Sequence, residues 1–294
     1  MNSRSVKPID VMIIGAEKSG TTSLVRYVGS HPQVCTHDKR EMNYFVNDEE
    51  FEEGYPAAYA RYFSPCTDTG IRIIAKSVAV SGNLTAVQRL HTHNPDIHLV
   101  MVLRNSIDRA YSAYWHAKRR GWEDAADFET AIARELSAEC DESKDGDDGT
   151  TYLRKGIYAD QIAALQMIFS PRQVHVFTFD ELKENPLSIC RALFSVIGVD
   201  ESFEPDVSLR FNKAAQARSP QLAKVLSYRG KIKKIIRRLL PRRVSDRLKQ
   251  RLVSWNEKPL QTPAMKAATR RRLEAYFNPH NRRLEELTGR PFDW

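Results

Sequence analysis

The sequence predicts an α/β fold: a single domain with a central parallel sheet flanked by helices, a P-loop-like loop after the first strand and a helical C-terminal section. Two observations lead to this prediction. Between residues 10 and 198, short apolar runs rich in β-branched residues alternate with segments of helical apolar spacing, as in parallel strands joined by helices. The last third of the chain holds no convincing strand, and no linker is long enough to separate two domains. One domain over residues 1–294 is therefore expected.

The elements follow from these patterns in chain order. Strands are predicted at residues 10–15, 71–75, 97–103 and 174–179, each a short apolar run of the kind found in buried parallel sheets. The spacing of apolar residues predicts helices at residues 21–30, 83–93, 106–119, 128–137, 156–169, 186–197 and 265–287, with basic helices over 222–255. Ser106 is expected to cap the helix that it begins, and Gly198 to end the helix that precedes it.

The composition is that of an ordinary globular protein with a real core. Of the 294 residues, 41% are hydrophobic and 28% charged, which excludes bulk disorder and collagen-like or coiled-coil architecture. The apolar runs are shorter than the roughly 18 to 20 residues that a membrane span needs, and the first ten residues hold no apolar signal-peptide core. A cytoplasmic location is therefore expected. The four cysteines lie far apart without metal-binding spacing, so we expect them to be reduced and non-catalytic.

The positive charge is concentrated in one segment. Residues 224–251 contain twelve basic residues and one acid, a local charge of +11 that exceeds the net charge of +8, so the rest of the chain is acidic overall. We interpret this segment as a solvated helical face packed through its apolar stripe; the alternative is peripheral contact with an anionic membrane or an anionic acceptor. No nucleic-acid-binding module is visible, so nucleic acid is not an expected partner. Residues 139–148 carry six acids and one lysine and are predicted to form a surface loop.

The loop after the first strand has phosphate-binding chemistry. It is Gly15-Ala-Glu-Lys-Ser-Gly-Thr-Thr22, in which glycines allow close approach to an anion, and Lys18 and the hydroxyls add charge and donors at a helix start. It is not a Walker A loop, because Lys18 precedes Gly20 and no GK[ST] follows; this disfavours a P-loop kinase. GxGxxG is also absent, which disfavours dinucleotide binding. An ordinary βα turn with an exposed lysine is the alternative.

The loop and several later motifs, taken in order, resemble the sulfotransferases that use 3′-phosphoadenosine 5′-phosphosulfate (PAPS), in particular the heparan-sulfate type. The loop is similar to their 5′-phosphosulfate loop, and residues 102–114, VLRNSIDRAYSAY, resemble their 3′-phosphate motif. Residues 153–158, LRKGIY, and the ending over residues 277–294 also match. The resemblance runs from about residue 9 to residue 294. It implies a PAPS-dependent sulfotransferase (EC 2.8.2.-), which we expect to be a soluble, bacterial member of that type.

The resemblance also implies roles for single residues. Lys18 would stabilise the bridging oxygen as the nucleotide product PAP leaves, Lys76 would lie near the sulfate, and Glu41 would be the catalytic base. Asn43 stands where many relatives have histidine, so no histidine base is expected there. The groups implied to hold PAPS are Lys18, Ser19, Gly20, Thr21, Thr22, Arg104, Ser112 and Arg218, the last in a lid region with Lys213. No metal is expected, because lysine and arginine supply the positive charge. His91, His93 and His98 are expected on the surface.

The predicted function is therefore transfer of a sulfuryl group from PAPS to a hydroxyl or amine of a small-molecule or glycan acceptor, by in-line displacement with Glu41 as base. Two alternatives stay open: a nucleotide-binding or membrane-peripheral interaction protein with a non-catalytic transferase fold, and a P-loop kinase. The acidic and basic segments favour opposite acceptors. Because the family layout places the stretch before Leu153 near the acceptor, we favour a small neutral or cationic acceptor over a long polyanion.

Overall fold

A computed structural model describes residues 6–64, 66, 70–137, 151–208, 215–217, 257–259 and 262–294. The basic segment 224–251, the acidic segment 139–148 and the predicted PAPS-binding residue Arg218 lie outside the described residues. The predicted basic helices and the lid residue Lys213 lie outside them as well.

The core of the fold is a five-stranded parallel sheet. Its strands are β1 (Val11–Gly15), β2 (Val34–Thr36), β3 (Arg72–Lys76), β4 (His98–Leu103) and β5 (Val174–Thr178). They lie in the order β2-β3-β1-β4-β5, and all neighbouring pairs are parallel. This confirms the predicted α/β architecture. Every residue of the central strand β1 is buried, which is why its sequence is a continuous apolar run.

Ten α-helices lie between and after the strands in the part of the chain that the structure describes. They are α1 (Thr21–Val28), α2 (Asp48–Glu52), α3 (Tyr55–Tyr62), α4 (Leu84–His93), α5 (Ser106–Arg120), α6 (Phe128–Leu136), α7 (Tyr158–Gln166), α8 (Phe179–Glu184), α9 (Pro186–Ile197) and α10 (Ala267–Thr288). Gly198, with φ of 65°, ends α9 as predicted. The predicted cap at Ser106 is wrong: the Asn105 side chain accepts hydrogen bonds from the amides of Ile107 and Asp108, and Ser106 Oγ donates to the carbonyl of Gly156.

Two apolar cores cover the two faces of the sheet. Successive side chains of a strand point to opposite faces, so Met12 and Ile14 lie in one core and Val11 and Ile13 in the other. The two cores pack against opposite faces of β1. This packing holds in place the end of the strand, from which the following loop starts.

The packing divides the chain into two compact units. The sheet unit comprises Met1–Arg109, Lys155–Asn212 and Glu274–Trp294, and the second unit comprises Ala110–Arg154 and Lys213–Leu273. In the second unit, the Glu135 carboxylate accepts hydrogen bonds from the amides of residues 152–154, and β6 (Ala215–Ala217) pairs antiparallel with β7 (Glu257–Pro259). The assignment of residues 1–294 to one sulfotransferase domain stays a prediction. Within the described residues, no helix is both long and apolar enough to cross a membrane.

The prediction of reduced cysteines is wrong for two of the four. Cys35 on β2 and Cys66 after α3 form a disulfide, with their Cα atoms 5.9 Å apart. They are 31 residues apart in the chain, and only the pairing of β2 with β3 and the packing of α3 bring them together, so their spacing gave no indication. Cys190 is a free thiol in the core, where burial raises its pKa to about 12.

Candidate active site

The predicted site residues of the sheet unit gather at the carboxyl edge of three neighbouring strands. β1 lies between β3 and β4, and open parallel sheets bind ligands outside the carboxyl ends of their strands, where the strand order reverses. The amide of Ser77, just after β3, donates to the carbonyl of Ile13, and the amide of Ala16 donates to Val102 on β4. This register places the segments that follow β1, β3 and β4 side by side.

The loop from β1 to α1 has the backbone of an anion-binding turn. Lys18 and Gly20 both have positive φ, 70° and 83°. A side chain at position 20 would place its Cβ 2.9 Å from Leu182, so both the conformation and the space favour glycine. Lys18 adopts this conformation at a cost of about 1 kcal/mol or more, a kind of strain that clusters at functional sites. No side chain caps α1, which leaves its first amides open to an anion.

Arg104 follows β4 and is attached to this loop. Its Nη1 donates to the carbonyl of Lys18 at 3.1 Å, and its guanidinium lies 4.8 Å from the ring centre of Phe179. The Tyr158 hydroxyl donates to the Arg104 carbonyl at 2.9 Å. Burial lowers the pKa of Arg104, and the charges of Asp108 and Asp180 oppose this shift. A partly buried guanidinium that forms no ion pair within the described part of the chain suits an anionic ligand.

Lys76 and Glu41 form an ion pair at the end of β3. Lys76 Nζ lies 2.5 Å from Glu41 Oε1, and Glu41 Oε2 accepts a hydrogen bond from the Val78 amide at 3.1 Å. The Lys76 side chain is only 2% exposed, whereas that of Glu41 is 25% exposed. Burial lowers the pKa of Lys76 and Glu41 opposes this shift. The two contacts thus hold the carboxylate in place, while a quarter of the Glu41 side chain stays exposed to solvent.

His37 is a buried residue of this site that the sequence did not reveal. Its Nε2 accepts a hydrogen bond from the Lys76 amide at 3.0 Å, and its Nδ1 lies 2.7 Å from the carbonyl of Lys39. Burial lowers its pKa to about 4, so the ring is neutral at pH 7 and its partners assign the proton to Nδ1. His37 directly follows β2, a three-residue strand that the apolar pattern does not show, so its position at a strand end was not apparent from the sequence.

The expectation of surface histidines is also wrong in part. His93 is partly buried, accepts a hydrogen bond from the Ile9 amide at 3.2 Å and has its pKa lowered to about 4 by burial. His98 is partly buried and lies 3.0 Å from the ring nitrogen of His175. These side chains are partly buried in the sheet unit. A ring nitrogen there can satisfy a buried amide that water does not reach.

The remaining predicted residues are placed less directly. Ser19 is buried in the loop, and Thr21 and Thr22, the first two residues of α1, are buried and partly buried. Ser112 lies on α5 in the second unit, so its position relative to Arg104 stays a prediction.

Several features fit a phosphate and a sulfate group. The buried hydroxyls of Ser19 and Ser77 make no hydrogen bond of normal geometry to described residues, although Ser19 lies beside the Tyr158 hydroxyl. Buried hydroxyls in the loop after β1 and directly after β3 suit anionic oxygens. Among the described residues, no three His, Cys, Asp or Glu side chains form a metal-binding group; the predicted independence of metal stays a prediction.

Comparison with known proteins agrees with the motifs. Residues 8–238 match the family described as the sulfotransferase domain. Heparan sulfate glucosamine 3-O-sulfotransferase 6 of Homo sapiens is 24% identical over 290 residues, covering 96% of this chain and 72% of that protein. The bifunctional heparan sulfate N-deacetylase/N-sulfotransferase 1 of Mus musculus is 24% identical over 215 residues, covering 69% of this chain. The chain spans only 23% of the length of that bifunctional protein.

A solved structure has the same fold. The sulfotransferase from Alicyclobacillus acidocaldarius superposes with a TM-score of 0.69 at 24% sequence identity, covering 98% of each chain. At this identity the likeness shows the fold.

Proposed function

We propose, from the premise that the chain belongs to the sulfotransferase family, that it transfers a sulfuryl group from PAPS to a hydroxyl or amine. The observation that carries the proposal is the contact between Arg104 and the loop: its guanidinium donates to the carbonyl of Lys18. Arg104 thereby joins the loop proposed to bind the 5′-phosphosulfate of PAPS to the segment proposed to bind its 3′-phosphate. The Lys76–Glu41 pair lies at the end of the neighbouring strand.

Each residue is assigned a role by its surroundings. Bound PAPS supplies an activated sulfuryl group on a phosphate leaving group. Lys18 and the amides at the start of α1 bind the 5′-phosphate and sulfate, and Arg104 orients the 3′-phosphate with its planar fork. Catalysis then depends on alignment and on cations placed where charge develops.

Glu41 is proposed to accept the proton of the attacking hydroxyl or amine. Lys76 and the Val78 amide each hold one oxygen of this carboxylate, which fixes its plane. The Glu41 side chain is 25% exposed, and an acceptor is proposed to reach the carboxylate from this exposed side. Lys76 adds positive charge beside the sulfuryl group.

The acceptor is proposed to be a small neutral or cationic molecule, or a glycan of that character. The relatives named above act on heparan sulfate, as their names state. The segments that would attract or repel a polyanion, 224–251 and 139–148, lie outside the described residues. We also propose a cytoplasmic location. For residues 224–251 we propose a solvated helical face, with peripheral contact with an anionic membrane as the alternative.

Calorimetry with PAP and ATP tests the proposal. We expect PAP to bind in the micromolar range or tighter, with no loss in EDTA, and Arg104→Ala to weaken binding by at least tenfold because it removes a charge-assisted contact. Arg172→Ala is the matched control, since Arg172 is exposed and precedes β5 at the opposite edge of the sheet. Tighter binding of ATP than of PAP, or loss of PAP binding in EDTA, would contradict the proposal and favour a kinase.

Activity is measured next with labelled PAPS and a panel of acceptors: sugar hydroxyls, phenols, alcohols and amines. Transfer of label to one class confirms the enzyme and identifies its acceptor. PAP binding without transfer to any class would instead favour a nucleotide-binding protein with a non-catalytic transferase fold.

A further inference from the structure

We propose that His37 is a positioning residue for the reaction: it fixes the backbone of Lys76 and of the segment that carries Glu41, and so sets the geometry of the ion pair. This inference rests on the proposed function. It concerns a residue that does not touch the reacting groups and acts through two that do.

The contacts form a closed ring. The Lys76 amide donates to His37 Nε2 at 3.0 Å, and His37 Nδ1 donates to the Lys39 carbonyl at 2.7 Å. The Met42 amide donates to the Lys76 carbonyl at 2.8 Å, and Lys76 Nζ binds Glu41. The imidazole is thus a bridge between the end of β3 and the chain that leads to Glu41, two residues beyond Lys39.

The bridge is rigid because the ring is enclosed. His37 is 6% exposed, and its ring packs edge-on against Tyr62 at 5.8 Å and Phe63 at 6.1 Å. The Tyr62 hydroxyl accepts a hydrogen bond from the Asn43 amide at 3.1 Å, so the packing partner of His37 also holds the chain beyond Glu41. The disulfide between Cys35 and Cys66 joins β2 to the chain after α3 beside this cluster.

This arrangement has a functional consequence. His37 binds the backbone amide of Lys76, and the Met42 amide binds its carbonyl. Together these two hydrogen bonds determine where the Lys76 side chain leaves the strand. A shift of about 1 Å in a catalytic group can cost about 10²-fold in rate. A neutral imidazole with one donor and one acceptor satisfies both backbone groups, whereas an apolar side chain satisfies neither.

The test compares His37→Leu and His37→Gln. Leucine removes both hydrogen bonds, while the glutamine amide keeps a donor and an acceptor. His93→Leu is the matched control, because His93 also accepts a backbone hydrogen bond, from Ile9, and has a similarly lowered pKa, yet it ends α4 and its partner Ile9 precedes β1, at the amino end of that strand.

Two readouts distinguish positioning from stability. Trace labelling with acetic anhydride, followed by mass spectrometry, measures the reactivity of Lys76 relative to exposed Lys183. Turnover and PAP affinity are measured with the acceptor found in the panel. We expect His37→Leu to raise Lys76 labelling several-fold and to lower kcat by about tenfold to a hundredfold with PAP affinity unchanged. His37→Gln should restore both values, and His93→Leu should change neither.

The opposite results overturn the inference. They are unchanged Lys76 labelling in His37→Leu, the same effect in His93→Leu, or no restoration by glutamine. If His37→Leu does not fold, His37→Asn replaces it, since its shorter amide does not reach the Lys76 backbone. If no acceptor is turned over by the unaltered protein, the proposed function fails, and the labelling result alone decides the role of His37.

Discussion

Replacing Glu41 with glutamine separates its chemical role from its structural role. The substitution keeps the size of the side chain and the acceptor for the Val78 amide, but removes the charge 2.5 Å from Lys76 Nζ. A carboxamide is not a base, so turnover should fall by about 10² to 10⁴, or about 3 to 5 kcal/mol in activation free energy. PAP affinity should change little, because the groups proposed to hold its phosphates are elsewhere, at Lys18 and Arg104.

The same substitution leaves Lys76 buried without its carboxylate. Removing one partner of a fully buried ion pair costs about 3 to 5 kcal/mol. Since Glu41 is 25% exposed, we expect a smaller loss of stability, about 2 to 3 kcal/mol.

The loss should also depend on pH. Burial already holds the pKa of Lys76 below its ordinary 10.5, and without Glu41 it falls further. Between the folded and unfolded pKa values the unfolded chain binds more protons, so the free energy of unfolding rises with pH in that window. Glu41→Gln should therefore regain stability toward pH 10 more steeply than the unaltered protein does.

Urea denaturation at pH 7 and pH 9.5, combined with initial rates from labelled PAPS and PAP calorimetry, measures these effects. Lys76→Met and the double variant complete a cycle, and the double variant, which has no buried charge, should be more stable than Glu41→Gln. Turnover within about threefold of the unaltered protein would refute Glu41 as the base. Equal stability of Glu41→Gln and the unaltered protein at both pH values would refute the buried pair.

Three further changes test the disulfide, the loop and the acceptor. Replacing Cys35 and Cys66 with serine should lower the free energy of unfolding by about 3 to 4 kcal/mol, from the entropy of closing a loop of this length, and make the protein insensitive to reducing agent. A variant as stable as the oxidised protein would contradict the pairing. Gly20→Ala and Gly198→Ala should each lower the free energy of unfolding by about 1 to 2 kcal/mol, because both positions have positive φ. Only the new methyl group at position 20 meets Leu182, so only Gly20→Ala should also weaken PAP binding. Equal PAP affinity in both variants would contradict the role of the loop. For a neutral acceptor, kcat/KM should stay flat with ionic strength, since charge steering is screened over about 8 Å at physiological salt; a steep fall with an acidic polysaccharide would overturn the acceptor preference.

Three strands were predictable because most of their residues are buried. β1, β4 and residues 73–75 of β3 are continuous apolar runs, and the structure has these strands within about one residue of the predicted bounds. β2 has one buried residue of three, and α2 has none, so neither leaves an apolar pattern. β2 exists because its backbone pairs with β3, a contact between distant parts of the chain.

The same distinction separates the site residues. Lys18, Glu41, Lys76 and Arg104 were predicted as site residues because each lies in a short sequence motif that resembles one of the sulfotransferases. His37 was missed because its role depends on the Lys76 amide, 39 residues away, and nothing in its neighbourhood in the sequence indicates that contact. Local patterns therefore indicated the residues that the structure brings together at this edge of the sheet, and their roles toward a ligand stay a prediction; the contact of His37 with them was not indicated.

The choice of proton acceptor follows from what surrounds the pair. His37 is enclosed and has both ring nitrogens engaged by backbone groups, so an acceptor molecule does not reach it. Asn43 carries an amide, and an amide does not accept a proton at neutral pH. Lys76 is almost fully buried and donates to Glu41. Glu41 combines a basic oxygen with exposure and is the carboxylate in direct contact with Lys76, which supports its assignment as the base and makes Glu41→Gln, rather than a histidine variant, the test of that role.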